Sequence, residues 1–164
     1  MTAHRRPPAA AVRPAPLAAL LLAAASAAAV GCDAASPGGG ACAEIGVPDV
    51  GLVSATTPDG EFRTACATVS ARDGLFLVIA REPGSGALGG ATLELTVDGT
   101  EPGTYALGEG GLSSAAYGPG PAATVGARSG SITVASFEGG ARGTFAFVTV
   151  TGAEVTGGRF DLDL

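Results

Sequence analysis

The chain has 164 residues, including 27 Gly and 11 Pro, and its nine basic against fifteen acidic groups give a formal net charge of −6. It contains no Lys, Asn, Gln or Trp, and its single His, His4, lies beside the N-terminus. Beyond that segment no side chain is available for a Ser-His-Asp site, a His-bound metal or a Lys Schiff base. This repertoire argues against catalysis, and we expect a protein that is not an enzyme and uses no cofactor.

Residues 1–31 have the features of an export signal. Arg5, Arg6 and Arg13 form a positively charged start, and residues 17–30 are an uncharged run rich in Leu and Ala. This run suits the core of a signal peptide and is shorter than the roughly 20 residues that a membrane-spanning helix needs. We expect residues 1–31 to be removed during export.

The run ends at a sequence typical of a bacterial lipobox. Residues 29–32 read Ala-Val-Gly-Cys, which places small or apolar side chains before a Cys that becomes the new N-terminus. Cys32 is therefore the predicted lipidation site, and two or three acyl chains hold firmly because each buried CH2 contributes about 0.8 kcal/mol. An ordinary signal peptide is the alternative. The sequence predicts an exported protein, anchored by lipid to the periplasmic or cell-surface face of a bacterial membrane.

Cleavage before Cys32 would leave 133 of the 164 residues, with six Arg against fifteen acidic groups and hence a net charge of −9. Because such a body repels polyanions, nucleic acid is excluded as a partner. Residues 32–41 are rich in Ala and Gly and are predicted to form a lipidated, flexible tether. Residues 42–164 are predicted to form one domain, with Cys42 and Cys66 joined by a structural disulfide.

Short β-rich runs separated by Gly-containing turns recur throughout this domain. Residues 75–80 are apolar on both faces, and residues 92–97 alternate apolar and polar side chains. Asp73-Gly74 comes directly before the first of these runs and is typical of a tight hairpin. Both runs are predicted to be strands, the first of them a central strand.

The last third of the chain contains four further runs, at residues 123–128, 131–137, 144–150 and 155–164. Gly-containing pairs or triplets separate them, beginning with Ser129-Gly130, and predict an antiparallel meander. The whole pattern predicts an all-β domain: a single antiparallel β-sandwich or barrel of eight or nine short strands with a C-terminal meander.

The C-terminal half carries short motifs of Gly and aromatic residues: Gly103-Thr104-Tyr105, Tyr117, residues 130–134, residues 143–147 and Gly158-Arg159-Phe160. Over residues 91–164 these resemble small bacterial lipoproteins that carry a β-rich domain of unknown function. The resemblance implies the β fold and the lipid anchor. It implies no catalytic residues, because none is assigned in such proteins.

Three patterns carry alternative chemistry. Residues 84–89 match G-x-G-x-x-G, but a strand follows where a dinucleotide site needs a helix, so we interpret them as a hairpin loop. Acids such as Glu94 and Glu109 satisfy the residue types of a two-carboxylate hydrolase, and solvated surface acids are the simpler interpretation.

Asp161 and Asp163 share the polar face of the last run and are candidate calcium ligands, with an ion pair to Arg159 as the alternative.

Tyr105 and Tyr117 flank residues 108–120, the longest Gly-rich loop signal of the domain. Loops on a rigid β scaffold commonly carry recognition, and Tyr is favoured at interfaces, so this segment is the predicted recognition loop. The resulting hypothesis is a non-enzymatic, lipid-anchored envelope protein that acts as a binding or assembly module for an unknown envelope protein or ligand. A module that binds a small molecule, a glycan or calcium is the alternative.

Overall fold

The computed structural model describes residues 39–84, 90–120 and 124–164. In chain order its elements are α1 (Gly39–Glu44), β1 (Asp49–Thr57), β2 (Gly60–Arg72), β3 (Leu75–Arg81), β4 (Thr92–Asp98), β5 (Gly103–Gly108), β6 (Ser114–Gly118), β7 (Val125–Ser136), β8 (Ala141–Thr149) and β9 (Glu154–Leu162). Within these ranges no helix is long and apolar enough to cross a membrane.

Eight of the strands close into an antiparallel barrel. The order β7-β6-β4-β3-β2-β1-β9-β8 returns to its start because β7 and β8 also pair with each other. The remaining strand, β5, lies outside this ring and pairs with β7. The predicted all-β fold of eight or nine antiparallel strands is confirmed, and of the two architectures left open by the sequence the chain adopts the barrel.

The β3–β4 hairpin shows why these residues form strands. Strand β3 pairs residue for residue with β4, from Leu75 opposite Asp98 to Arg81 opposite Thr92. Alternate side chains on both strands are fully buried inside the ring, among them Phe76 opposite Val97. Because side chains alternate between the two faces of a strand, this alternation fixes the register. The predicted central strand is confirmed, and the hairpin predicted at Asp73-Gly74 joins β2 to β3, where Arg72 pairs with Leu75.

Apolar side chains fill the interior of the ring. Phe62, Phe76, Leu93 and Leu95 are at most 1% exposed and belong to one cluster of buried residues. The ring of Phe76 packs edge-to-face on Phe137, with ring centroids 5.2 Å apart. Burying a side chain of this size contributes about 1.5–3 kcal/mol, so this cluster is the main source of stability.

A short helix and a disulfide lie at the N-terminal side of the ring. The predicted bridge between Cys42 and Cys66 is present and links α1 to β2. The N–H of Ala67 also donates to the carbonyl oxygen of Pro48 at 3.1 Å. A six-residue helix is unstable alone, and closing a loop of this length contributes about 3 kcal/mol, so the bridge holds α1 against the barrel.

The helix itself was not predicted from the sequence. Residues 39–41, at the end of the predicted flexible tether, belong to α1. Cys32, the signal segment and the rest of the tether lie outside the described residues. The short, Gly-rich stretch lacks helical periodicity, and the disulfide supplies the tertiary contact that the sequence pattern does not show.

Two turn predictions in the C-terminal half were wrong. Ser129-Gly130 is part of the continuous strand β7, whose residues pair first with β6, at Val125 and Gly126, and then with β5. Gly130, with φ of 140°, lies where the strand has changed partner. The predicted loop over residues 108–120 contains strand β6, which leaves a shorter connection over residues 109–113. Ser129-Gly130 marks a change of strand partner in the first case, and in the second the Gly-rich sequence includes a strand of small residues.

Candidate functional site

The two tyrosines of the predicted recognition loop have separate local roles. Tyr117 is 4% exposed, and its hydroxyl donates to Oδ2 of Asp59 at 3.0 Å and lies 3.2 Å from Oγ1 of Thr57. Burial is the largest cause that raises the pKa of Tyr117 above its usual value. Tyr105 is half-buried on β5 and donates to the carbonyl oxygen of Glu101 at 2.6 Å. Both hydroxyls are bonded to the protein, and a recognition role for either ring stays a prediction.

The two candidate calcium ligands lie on the exposed side of the last strand and its end. Oδ1 of Asp161 accepts a hydrogen bond from Nε of Arg142 at 2.8 Å, and this bond raises the pKa of Arg142. The ion-pair partner is thus Arg142, on the neighbouring strand, and Arg159 is not in the pair. In the described part of the chain no three His, Cys, Asp or Glu side chains are grouped closely enough to hold a metal.

Strand β9 contains a β-bulge on the outside of the barrel. Val155, Gly158 and Phe160 are buried, whereas Thr156 and Gly157 are both exposed, so two consecutive residues face outward. The register of β9 shifts at this point against both β1 and β8. Gly157 has φ of 60°, a left-handed conformation that glycine adopts without the steric cost of a Cβ. The bulge interrupts the regular alternation of inward-facing and outward-facing residues along β9.

An open groove of about 620 Å³ lies beside this bulge. Its floor has short side chains or none, at Ser54, Gly143 and Gly157, and it is bordered by three arginines, Arg63, Arg142 and Arg159. We call it the arginine groove. Gly143 contributes only backbone to the groove: its cross-strand partners Val134 and Phe160 are buried, and a Cβ there would collide with the ring of Phe160 and the carbonyl oxygen of Thr133.

The groove follows one row of outward-facing residues across neighbouring strands. Ser54 on β1 pairs with Arg63 on β2 and with Arg159 on β9, and Arg159 pairs in turn with Thr144 on β8. The row continues through Thr133 on β7 to Thr104 on β5, whose hydroxyl oxygens are 3.0 Å apart. Guanidinium and hydroxyl groups therefore form one polar band on the outside of the barrel.

Two of the three arginines form no ion pair in the described part of the chain. Arg142 is paired with Asp161, and both side chains remain more than 60% exposed. Neither Arg63 nor Arg159 forms an ion pair with any acidic residue in the described ranges. The Glu82 carboxylate is near Arg63, but it accepts a bond from the backbone N–H at 2.9 Å. In a chain with fifteen acidic groups, half of the six arginines that follow residue 31 gather at one groove.

No local sequence pattern predicts this groove. Its arginines come from β2, β8 and β9, and they become neighbours through the ring order β2-β1-β9-β8, which no local pattern encodes. The available signal was the outward alternation of Arg159 and Asp161 along the last strand. That signal identifies an exposed face, but it does not identify the strands beside it.

The fold and the groove together define a small antiparallel β-barrel domain with an apolar-filled interior and a polar groove on its outside. The chain belongs to the family described as "Domain of unknown function (DUF6252)", which matches residues 53–160. The match runs from β1 to β9, contains all three groove arginines and leaves out Cys42. The prediction of a β-rich domain of unknown function is confirmed, with a match that begins well before residue 91. No curated protein and no solved structure matches the chain.

Proposed function

We propose that this chain is a non-enzymatic, lipid-anchored protein of the bacterial cell envelope whose barrel binds an envelope component at the arginine groove. The observation that carries the proposal is a groove of about 620 Å³ lined by two arginines, Arg63 and Arg159, that form no ion pair in the described ranges. Known binding clefts have volumes of roughly 300–1,000 Å³, so the groove is large enough for a small molecule or for a segment of a larger partner.

The interior of the barrel supports binding on the outside. Some eight-stranded barrels hold a ligand within the ring, and in others the side chains fill it. Here Phe62, Phe76 and Leu95 are among the apolar side chains that occupy the interior, each at most 1% exposed. A partner is therefore expected at the outer surface, where the β9 bulge and the bare floor create a depression.

The chemistry of the groove suits binding better than catalysis. Arginine stays protonated at all physiological pH values and cannot act as a general base. The hydroxyls of Ser54 and Thr144 would need an adjacent base to become nucleophiles, and the only His of the sequence is His4. Asp161 is engaged by Arg142. These groups can hold and orient a ligand through hydrogen bonds and charge.

The predicted lipid at Cys32 would keep the barrel near a membrane surface. Only residues 33–38 separate Cys32 from α1, and the disulfide fastens α1 to β2. A chain of six residues extends to at most about 20 Å, so an anchored domain would remain close to the bilayer. Partners within the envelope are therefore the accessible ones.

The anchor is tested by expressing the full chain with Cys32→Ser in a bacterial host that processes lipoproteins. We expect the parent chain in the membrane fraction and the variant in the soluble envelope fraction, because the acyl chains supply the membrane affinity. Cys42→Ala with Cys66→Ala is the control, since it removes the disulfide and keeps the lipidation site. Equal membrane retention of Cys32→Ser and the parent chain would contradict the anchor.

Binding at the groove is tested with a photo-crosslinking residue introduced at Thr144, on the polar band. We expect a discrete crosslinked adduct on intact cells from this position. The same residue at Thr68, an exposed position on β2 away from the groove, is the matched control. Adducts of equal yield from both positions, or none from Thr144, would show that the groove is not the binding surface.

A further inference from the structure

The centre of the arginine groove has two cationic side chains on either side of one hydroxyl group. Ser54 is the direct cross-strand neighbour of Arg63 on one side and of Arg159 on the other. Cross-strand neighbours lie about 5 Å apart, so the Cα atoms of the two arginines are roughly 10 Å apart, with Ser54 between them. Both guanidinium groups can therefore approach one small group seated above Ser54.

The donors at this point match an oxyanion. Each guanidinium presents five N–H donors in a planar fork, which fits the paired oxygens of a carboxylate or phosphate. The hydroxyl of Ser54 adds a further donor between the forks. No described acidic side chain forms an ion pair with Arg63 or Arg159, so their charges are available.

The remaining charges limit how many anionic groups the ligand carries. Asp161 accepts the bond from Arg142 at one side of the groove, Glu82 accepts a bond from the backbone N–H of Arg63, and Glu61 is exposed on β2. A second anionic group placed against any of these carboxylates would be repelled. The net charge of −9 expected after cleavage also disfavours a polyanion. The arrangement therefore favours one oxyanion on an otherwise uncharged molecule.

We infer that Arg63, Ser54 and Arg159 bind a single phosphate or carboxylate group, and that the rest of the ligand lies on the floor formed by Gly143 and Gly157. This inference rests on the proposed function, since it names the ligand chemistry of the same groove. The groove volume of about 620 Å³ greatly exceeds that of one oxyanion, so the anionic group is the head of a larger polar ligand. Thr144 adjoins this floor and offers its hydroxyl to that remainder.

Backbone NMR titration of the purified full chain with inorganic phosphate and, separately, with acetate tests the inference at low ionic strength. We expect saturable shifts at the amides of Ser54, Arg63 and Arg159 with at least one of the two anions. Sodium chloride is the control for charge screening and should give no saturable shift at these amides. Saturation by phosphate or by acetate identifies the group that is bound, and saturation by neither overturns the inference.

Single substitutions distinguish binding at these specific residues from a general effect of the protein's charge. Arg159→Met and Arg63→Met should each weaken the binding of the saturating anion at least tenfold, because each removes one guanidinium fork. Arg72→Met removes the same charge from an exposed arginine outside the groove and should change affinity less than twofold. Equal losses in Arg159→Met and Arg72→Met would overturn the inference. Retained chemical shifts elsewhere in the spectrum show that each variant is folded.

Vesicles distinguish a lipid phosphate from a soluble one. Cosedimentation with phosphatidylcholine vesicles containing phosphatidic acid, lost in Arg159→Met, assigns the anion to a lipid headgroup. Saturable phosphate binding without such cosedimentation assigns it to a soluble phosphate ester. The crosslinking result at Thr144 is independent of these measurements. An adduct on cells without oxyanion binding would leave the proposed function standing and remove only this inference.

Discussion

At the scale of single residues, Tyr117 shows how one polar group is accommodated in an apolar ring. Its side chain is 4% exposed, and its hydroxyl reaches Asp59 and Thr57 at the β1–β2 turn. A buried hydroxyl without a partner would cost about 1–3 kcal/mol, and these hydrogen bonds offset that cost. They also connect the β1–β2 turn to β6. Tyr105, by contrast, makes its bond within the short segment from Glu101.

Tyr117→Phe should lower the free energy of unfolding by about 1–2 kcal/mol, because it removes the hydrogen bonds to the turn while keeping the ring. Tyr105→Phe is the matched control and should cost less than about 0.5 kcal/mol, since its hydroxyl is partly solvated. Denaturant unfolding monitored by fluorescence or circular dichroism measures both. A larger loss in Tyr105→Phe than in Tyr117→Phe would contradict this assignment.

The pH dependence of the same variant gives an independent check. Burial raises the pKa of Tyr117 above its usual 10.0, so the folded state holds this proton more tightly than the unfolded state. The stability that depends on the neutral hydroxyl is complete below pH 10 and is lost as the pH rises toward the folded pKa. Above pH 10, Tyr117→Phe should therefore lose less stability than the parent chain or Tyr105→Phe. Parallel losses in all three would contradict the pKa shift.

At the scale of elements, β7 is the described strand that pairs with three others. It pairs with β6 at its start, with β5 along its middle and with β8 on its other edge. Gly130 makes this possible: with φ of 140°, it lies so close to β8 that an added Cβ would collide with the carbonyl oxygen of Ala146 and with Phe147. This close approach allows β7 to pair with β6 and β5 on one edge and with β8 on the other.

Gly130→Ala should lower the free energy of unfolding by about 2 kcal/mol or more, because the new Cβ meets strain and collision together. Gly126→Ala is the control in the same strand. Open space surrounds a Cβ at Gly126, so this variant should stay within about 1 kcal/mol of the parent chain. Thermal and denaturant unfolding compare the two variants. Equal stability of both would show that Gly130 is no special position.

The contrast between the β2–β3 hairpin and β7 shows which parts of the fold could be predicted from the sequence. Asp73-Gly74 and the apolar run that follows it encode a local hairpin, because both strands lie within one short stretch. Ser129-Gly130 has the composition of a turn, but the long pairing with β8 keeps the chain extended there. The arginine groove was beyond prediction for the same reason. Arg63 and Arg159 are both neighbours of Ser54 on β1, and the pairing of β1 with β9 joins the first and last strands of the domain.

At the scale of the whole molecule, closure of the ring separates strands that have two neighbours from one strand that has a single neighbour. Each strand of the ring has a hydrogen-bonded neighbour on both sides, which removes the free edges that open sheets expose. β5 is the exception among the described strands, since it pairs only with β7. Leu107 is the one buried side chain of β5, whereas Phe76, Val78 and Ala80 on β3 are all fully buried. The ring should therefore behave as one cooperative unit, with β5 as a less stable addition.

Native-state hydrogen exchange should reveal this division. Hydrogen-bonded amides of β3 and β4 can exchange only when the ring opens, so we expect protection close to the global free energy of unfolding. The hydrogen-bonded amides of β5 need only separation from β7 and should exchange at least tenfold faster, a difference of about 1.4 kcal/mol. Gly130→Ala should lower the protection of β3, because a weakened ring opens more often as a whole. Protection of β5 equal to that of β3 would show that the ninth strand belongs to the cooperative unit, and that closure alone does not set the stability of its parts.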